Sequence, residues 1–145
     1  MITARRATLI SSVCIAAALA TGLTPGSASA QFAPDTVTVD GIGLIAEDGT
    51  LTLSGTYRCS SLRTSPIVIS SKATQGGTQV GIGSTTAICD GQEREWRNTG
   101  NHMGLLAPGA AQGEASLIAL DTSRGFIPIP VVLTTQRGDL TLQQG

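Results

Sequence analysis

The chain has 145 residues, a formal charge of −1, 41% apolar residues, 13% charged residues and 3% aromatic ones. That length holds a single domain of ordinary size, and so little charge excludes a coiled coil or a solvating acidic tail. Nine basic groups against ten acidic ones exclude a strongly basic nucleic-acid binder, because phosphate contacts require a surplus of Lys and Arg.

The first thirty residues read as an address. Arg5 and Arg6 precede an apolar stretch from Ala7 to Leu23. Thr24-Pro25-Gly26 breaks that stretch, and Ala28-Ser29-Ala30 puts small residues where a signal peptidase reads. Ser11, Ser12 and Thr21 make it short and polar beside the roughly 20 apolar residues of a bilayer span. A secretory signal over 1–30 is therefore expected, and with it an extracellular location. Ala7-Thr8-Leu9 fits a twin-arginine signal poorly, which favours the general secretory route. Cys14 lies too early in the apolar stretch for lipoprotein acylation. Cleavage leaves a short leader, Gln31–Asp35, and a domain over 36–145. No second long apolar run follows, so a monomer without membrane attachment is expected.

Beyond that segment two cysteines remain, Cys59 and Cys89. An even pair in an exported chain predicts one disulfide with one possible connectivity. Closing a loop of about 30 residues contributes about 3.6 kcal/mol by chain entropy. That is a large share of the ~5–15 kcal/mol typical of a domain, and aromatic residues to build a core are few: Phe32, Tyr57, Trp96 and Phe126. There is no C-x-x-C, and His102 is the only histidine, so no metal site and no cofactor are expected.

In chain order, Thr36–Asp40 alternates Thr and Val as a half-buried strand does, and Gly41 and Gly43 punctuate it. Asp48-Gly49 is a hairpin turn. In Thr50–Cys59, Leu51, Leu53, Gly55, Tyr57 and Cys59 share one face, and Thr50, Thr52, Ser54, Thr56 and Arg58 share the other. Pro66–Ser71 is a further β-branched run. Thr78–Cys89 reads as one bent strand or two short ones, interrupted by Gly81 and Gly83. After Asp90-Gly91, Gln92–Asn98 places Glu93, Glu95 and Arg97 on one face and Arg94 and Trp96 on the other. Thr99–Gly109 reads as a loop, and Ala110–Asp121 as a strand. Pro128–Thr135 is a strand whose prolines suit an edge. Arg137-Gly138-Asp139 reads as a turn into a last strand, Leu140–Leu142. The expectation is an all-β fold: a single immunoglobulin-like β-sandwich of seven or eight short antiparallel strands with one disulfide. Trp96 follows Cys89 instead of lying between the cysteines, so the bridge is not expected to be the usual inter-sheet one.

Taken in order, IAEDGTLTLSGTYRC (Ile45–Cys59), Gly81-Ile82-Gly83, Cys89-Asp90-Gly91, Trp96 with Asn98 and Gly100, and Pro108-Gly109 resemble a family of small secreted actinobacterial proteins known as a domain of unknown function. The resemblance covers about residues 35 to 142. It implies export, a β-sandwich and the pairing of Cys59 with Cys89, and it implies no activity. Gly113 stands where a β-branched residue is expected.

Catalytic candidates are sparse. His102 is the only imidazole available to a hydrolytic triad, no G-x-S-x-G elbow accompanies it, and a solvated loop residue is the simpler account. Glu93 and Glu95 stand two apart as a glycosidase pair might, yet the adjacent Arg94 and Arg97 suit an exposed strand that resists edge pairing. Arg94, Trp96 and Arg97 form the densest cluster of the residue types that dominate binding hot spots, although Trp96 also suits the core. The leading expectation is a secreted, non-catalytic binding or accessory module, with an extracellular protein, glycan or small molecule as partner. The alternatives are an inhibitor of an extracellular hydrolase, presenting His102–Pro108 or Leu62–Pro66 as a rigid loop, a hydrolase itself, or a small-molecule carrier.

Overall fold

The computed structural model describes residues 33–145. The expected signal, Cys14 and the first two residues of the leader lie outside the described residues. Eight strands are present: β1 (Thr36–Val37), β2 (Ile42–Ile45), β3 (Thr50–Arg58), β4 (Ile67–Gln75), β5 (Thr78–Thr86), β6 (Arg94–Asn101), β7 (Gly109–Asp121) and β8 (Ile129–Gln144). The fold is all-β, with no helix among the described residues.

Hydrogen bonding runs β6–β3–β2–β8–β7–β4–β5, with β1 beside β2 on the same edge of β3. The path does not close. It curls until its ends, β5 and β6, lie against each other without a ladder. The core fills the interior of that curl. Each strand contributes the alternate residues of a period-2 pattern: Leu51, Leu53 and Tyr57 from β3, Ile67 and Ile69 from β4, Ala115 and Leu117 from β7, and Leu140 and Leu142 from β8. Gly113 belongs to the same row, and a Cβ there would press on Leu140 and Val39, so the β-branched residue that the resemblance leads one to expect would have to displace both.

Three expectations about strands are corrected. Ile42–Ile45 is a strand, and it pairs in parallel with Thr141–Gln144, so the fold is not wholly antiparallel. Arg137-Gly138-Asp139 is not a turn: β8 runs through it, with Arg137 opposite Glu114 and Gly138 opposite Gly113. Thr99–Asn101 extends β6 instead of opening a loop, because Thr50–Thr52 continue to pair with it. The proline-led segment does lie at an edge. Leu120 donates its N–H to the carbonyl of Pro66, just before β4, so its partner Pro130 turns its own backbone away from β7. The open edge therefore lacks a donor there, which blunts strand addition.

The seam between β5 and β6 is held by side chains. Asn98, 2% exposed, donates from Nδ2 to Ser71 Oγ at 2.9 Å and to the Ile69 carbonyl at 3.1 Å. Its Oδ1 accepts from Thr85 Oγ1 at 2.5 Å, and Ser71 Oγ donates onward to the Ile82 carbonyl at 2.7 Å. Across the same seam, Gly83 has φ +66°, and a Cβ there would stand 2.5 Å from the Thr99 carbonyl oxygen. Replacing Asn98 by Leu keeps the branched shape, adds the bulk of two methyl groups and strands these buried partners. A loss of about 2–4 kcal/mol is expected, read as a lower urea midpoint.

On the β4–β7–β8 surface, Glu114 accepts from Lys72 Nζ at 2.9 Å and pairs with Arg137. Burial disfavours its charge, but the hydrogen bonds and charges of Lys72 and Arg137 outweigh that and hold its carboxyl below the usual value. Such a group stabilises the fold above its ordinary pKa and ceases to as pH falls through its folded one. Glu114→Gln is expected to lower the melting temperature at about pH 7, by a difference that shrinks as pH falls below the usual carboxylate range. The cations are solvent-exposed, which limits the difference to about 1 kcal/mol. Paired thermal melts across that range check both sign and size.

Candidate functional site

The catalytic candidates do not converge. His102 is not a solvated loop residue: it is 6% exposed, with Nδ1 3.4 Å from the backbone N–H of Leu106. Burial follows from its place after the far end of β6, where Gly49 accepts its backbone N–H. Glu95 stands seven residues back along the same strand, roughly 20 Å away at the usual rise per residue. Glu93 and Glu95 are both exposed. Among the described residues no three His, Cys, Asp or Glu side chains gather as metal ligands.

The predicted binding cluster is divided. Trp96 is interior, 2% exposed, and its Nε1 donates to the Thr38 carbonyl at 2.8 Å. It cannot serve as a surface contact, because the chain from β1 to β2 crosses it. Gly55, opposite Trp96 on β3, makes the crossing possible: a Cβ there would stand 2.0 Å from the Thr38 oxygen. Arg94 shares the parity of Trp96 and is clamped by Asp90, whose Oδ2 accepts from Nε at 3.1 Å and from Nη2 at 2.5 Å. That bond, with the Gln92 N–H, holds the Asp90 carboxyl below its usual value, and Asp90 in turn raises Arg94. Arg97 projects from the opposite face, is exposed and forms no ion pair among the described residues.

A concavity lies at the Arg94 end of the sandwich. It is a groove of about 620 Å³ between the segment before β1, the end of β3 and the β3–β4 loop. Its loop is ordered by its own polar groups. Asp35 accepts the Ser60 N–H at 3.1 Å and pairs with Arg63. Ser60 Oγ accepts the Leu62 N–H at 3.2 Å, and the Ser60 carbonyl accepts the Arg63 N–H at 3.3 Å. Cys59, 1% exposed, forms the disulfide with Cys89 across a Cα separation of 4.7 Å, and the Cys59 carbonyl accepts the Gly91 N–H at 2.9 Å. The bridge therefore ties the end of β3 to the segment leaving β5 and pins this end of the open seam. Leu62, 72% exposed, stands at the loop tip, and Arg58 lines the wall.

Residues 33–145 match the model of DUF6299, a family of unknown function. The chain belongs to this family. No curated protein matches it. Among solved structures, murine CRIg aligns with 78% of this chain and 99% of its own, at 11% identity and a TM-score of 0.38. A likeness of that degree carries no argument about function.

Within this DUF6299 domain, sequence reasoning named the Leu62–Pro66 loop but not Arg58 or the Asp35–Arg63 clasp. The signal for Arg58 was faint: it is the one charged residue on an outward row of Thr and Ser, next to a disulfide cysteine. Replacing Cys59 and Cys89 together by Ser is expected to cost about 3 kcal/mol. Urea unfolding followed by the fluorescence of the single Trp96 measures this directly.

Proposed function

We propose that this DUF6299 protein is an exported, non-catalytic binding module whose recognition surface is the loop end built around the disulfide. The observation that carries this reading is the groove itself. It encloses about 620 Å³, and its walls are preset by the Asp35–Ser60–Arg63 clasp and the disulfide. Preset walls lower the ordering cost of binding. A disulfide suits an oxidising compartment, in keeping with the signal expected over 1–30. The scatter of His102, Glu93 and Glu95 argues against a hydrolase. Arg94, at the same end, is a candidate contact through the guanidinium edge that Asp90 leaves free. Arg97 belongs to a separate, outward face beside Asp40, Ile42 and Leu44.

A second reading, an inhibitor of an extracellular hydrolase, is favoured by one feature. The β3–β4 loop is internally braced, yet its tip residue Leu62 is largely exposed, as an inserting loop requires. Both readings place the contact at one end of the molecule.

The protein recovered from a secreting host, immobilised in oxidised form, is challenged with the producer's culture supernatant and cell-wall fraction. A saturable partner is expected to be retained by the wild type and by Arg97→Ala, and lost by Leu62→Asp. Loss with Arg97→Ala alone would transfer recognition to the outer face of β3 and β6. Retention of nothing would overturn a macromolecular partner from the producer. A retained secreted hydrolase whose activity falls on binding would decide for the inhibitor.

A further inference from the structure

We propose that the groove beside the disulfide is a receptor for an oxyanion, anchored by the Arg58 guanidinium. This rests on reading that groove as the binding surface. Arg58 ends β3 on its outward row, where Thr50, Thr52, Ser54 and Thr56 precede it. Its Nε is buried and has no hydrogen-bond partner, and it is the one buried side-chain nitrogen or oxygen among the described residues in that condition. An unmet donor on a charged group is costly, and native structures tolerate few. The other half-buried arginine, Arg94, has its carboxylate in Asp90. Arg58 has none. Glu93, which would face it if the β3–β6 ladder were one pair longer, forms no ion pair with it.

The lining suits an anion. The groove holds two guanidinium groups, Arg58 and Arg63, and one carboxylate, Asp35. Asp35 is already committed to Arg63 and to the Ser60 N–H, so the charge left over is that of Arg58. Ser61 and Ser65 belong to the same lining, and a serine hydroxyl can donate to an oxygen that the guanidinium does not reach. Nε is shielded as the side chain stands, but Arg58 is only half-buried, so its guanidinium has to turn for an anion to engage the Nε edge. That edge offers two parallel N–H groups in one plane, a geometry that matches a carboxylate better than a point charge does. A small organic carboxylate is thus the favoured occupant. A tetrahedral oxyanion such as phosphate offers the same acceptors.

The test is proton–nitrogen NMR on the oxidised protein from a secreting host, including the arginine Nε–H region. Sodium acetate and sodium phosphate are each titrated to about 50 mM against sodium chloride at constant ionic strength, a range that reaches millimolar affinities. Acetate is expected to move the Arg58 Nε–H resonance and the amides of the β3–β4 loop saturably. Arg58→Lys keeps the charge and lacks the Nε–H, and it should weaken binding about tenfold. The wild-type Arg58 signal reports directly, so the result stands even if that variant fails to fold. Saturation by phosphate alone upholds the oxyanion receptor and makes its occupant tetrahedral. No saturable shift with either anion, or equal affinity in Arg58→Lys, overturns the proposal. If the anions fail while capture still depends on Leu62, the groove remains the binding surface and only its oxyanion character falls.

Discussion

The fold depends on how its open seam is kept shut. A sheet that curls on itself without a last ladder leaves two edges, β5 and β6, facing each other with backbone groups to satisfy. Asn98 resolves the middle of that seam. One amide supplies donors to β4 and an acceptor to β5, from a side chain that no solvent reaches. Gly83 lets the two strands approach at a distance that a side chain would forbid, and Gly100 eases the same approach, since a Cβ there would crowd Ile82 Cα at 3.2 Å. A leucine core alone would not specify this register, because apolar contacts are non-directional. The polar cluster is what makes the arrangement of β5 against β6 single-valued.

The disulfide completes what Asn98 begins. It pins the seam at the end where β6 starts, and the loops that leave the sandwich there acquire fixed anchor points. From those anchors the Asp35 carboxylate can reach both Ser60 and Arg63 and hold the β3–β4 loop open over a groove. The groove is therefore a consequence of the seam. The same two constraints that close the core also space the walls of the site.

Much of this architecture was legible in the sequence where period-2 alternation was undiluted. In Thr50–Arg58 every second residue is Thr, Ser or Arg, and the structure buries the alternate row as the pattern requires. The Cys59–Cys89 pair was legible because two cysteines leave one connectivity. What was not legible depended on partners remote in sequence. Ile42–Ile45 puts Ile42 and Leu44 on an exposed face and Gly43 with Ile45 on the buried one, and it becomes a strand because Thr141–Gln144 runs parallel on one side and Leu51–Thr52 pair with it on the other. Arg137-Gly138-Asp139 has turn composition, yet an extended conformation wins because Glu114 and Gly113 stand opposite. Tertiary pairing overrode local propensity in both cases.

The site was less legible for a different reason. Sequence reasoning looks for gathered chemistry, and it found Arg94, Trp96 and Arg97 together. A strand separates such neighbours: one entered the core, one was neutralised by Asp90, and one faced outward alone. Arg58 drew no attention because an arginine at a strand end is ordinary. Its significance lies in a missing acceptor, and that is a property of surroundings assembled from 33–35, 58–65 and 91. A buried donor without a partner is a constraint written by the fold, in a place where the fold has also made room for a ligand. Where the two coincide, unmet hydrogen bonding is stronger guidance to the site than any clustering of residue types along the chain.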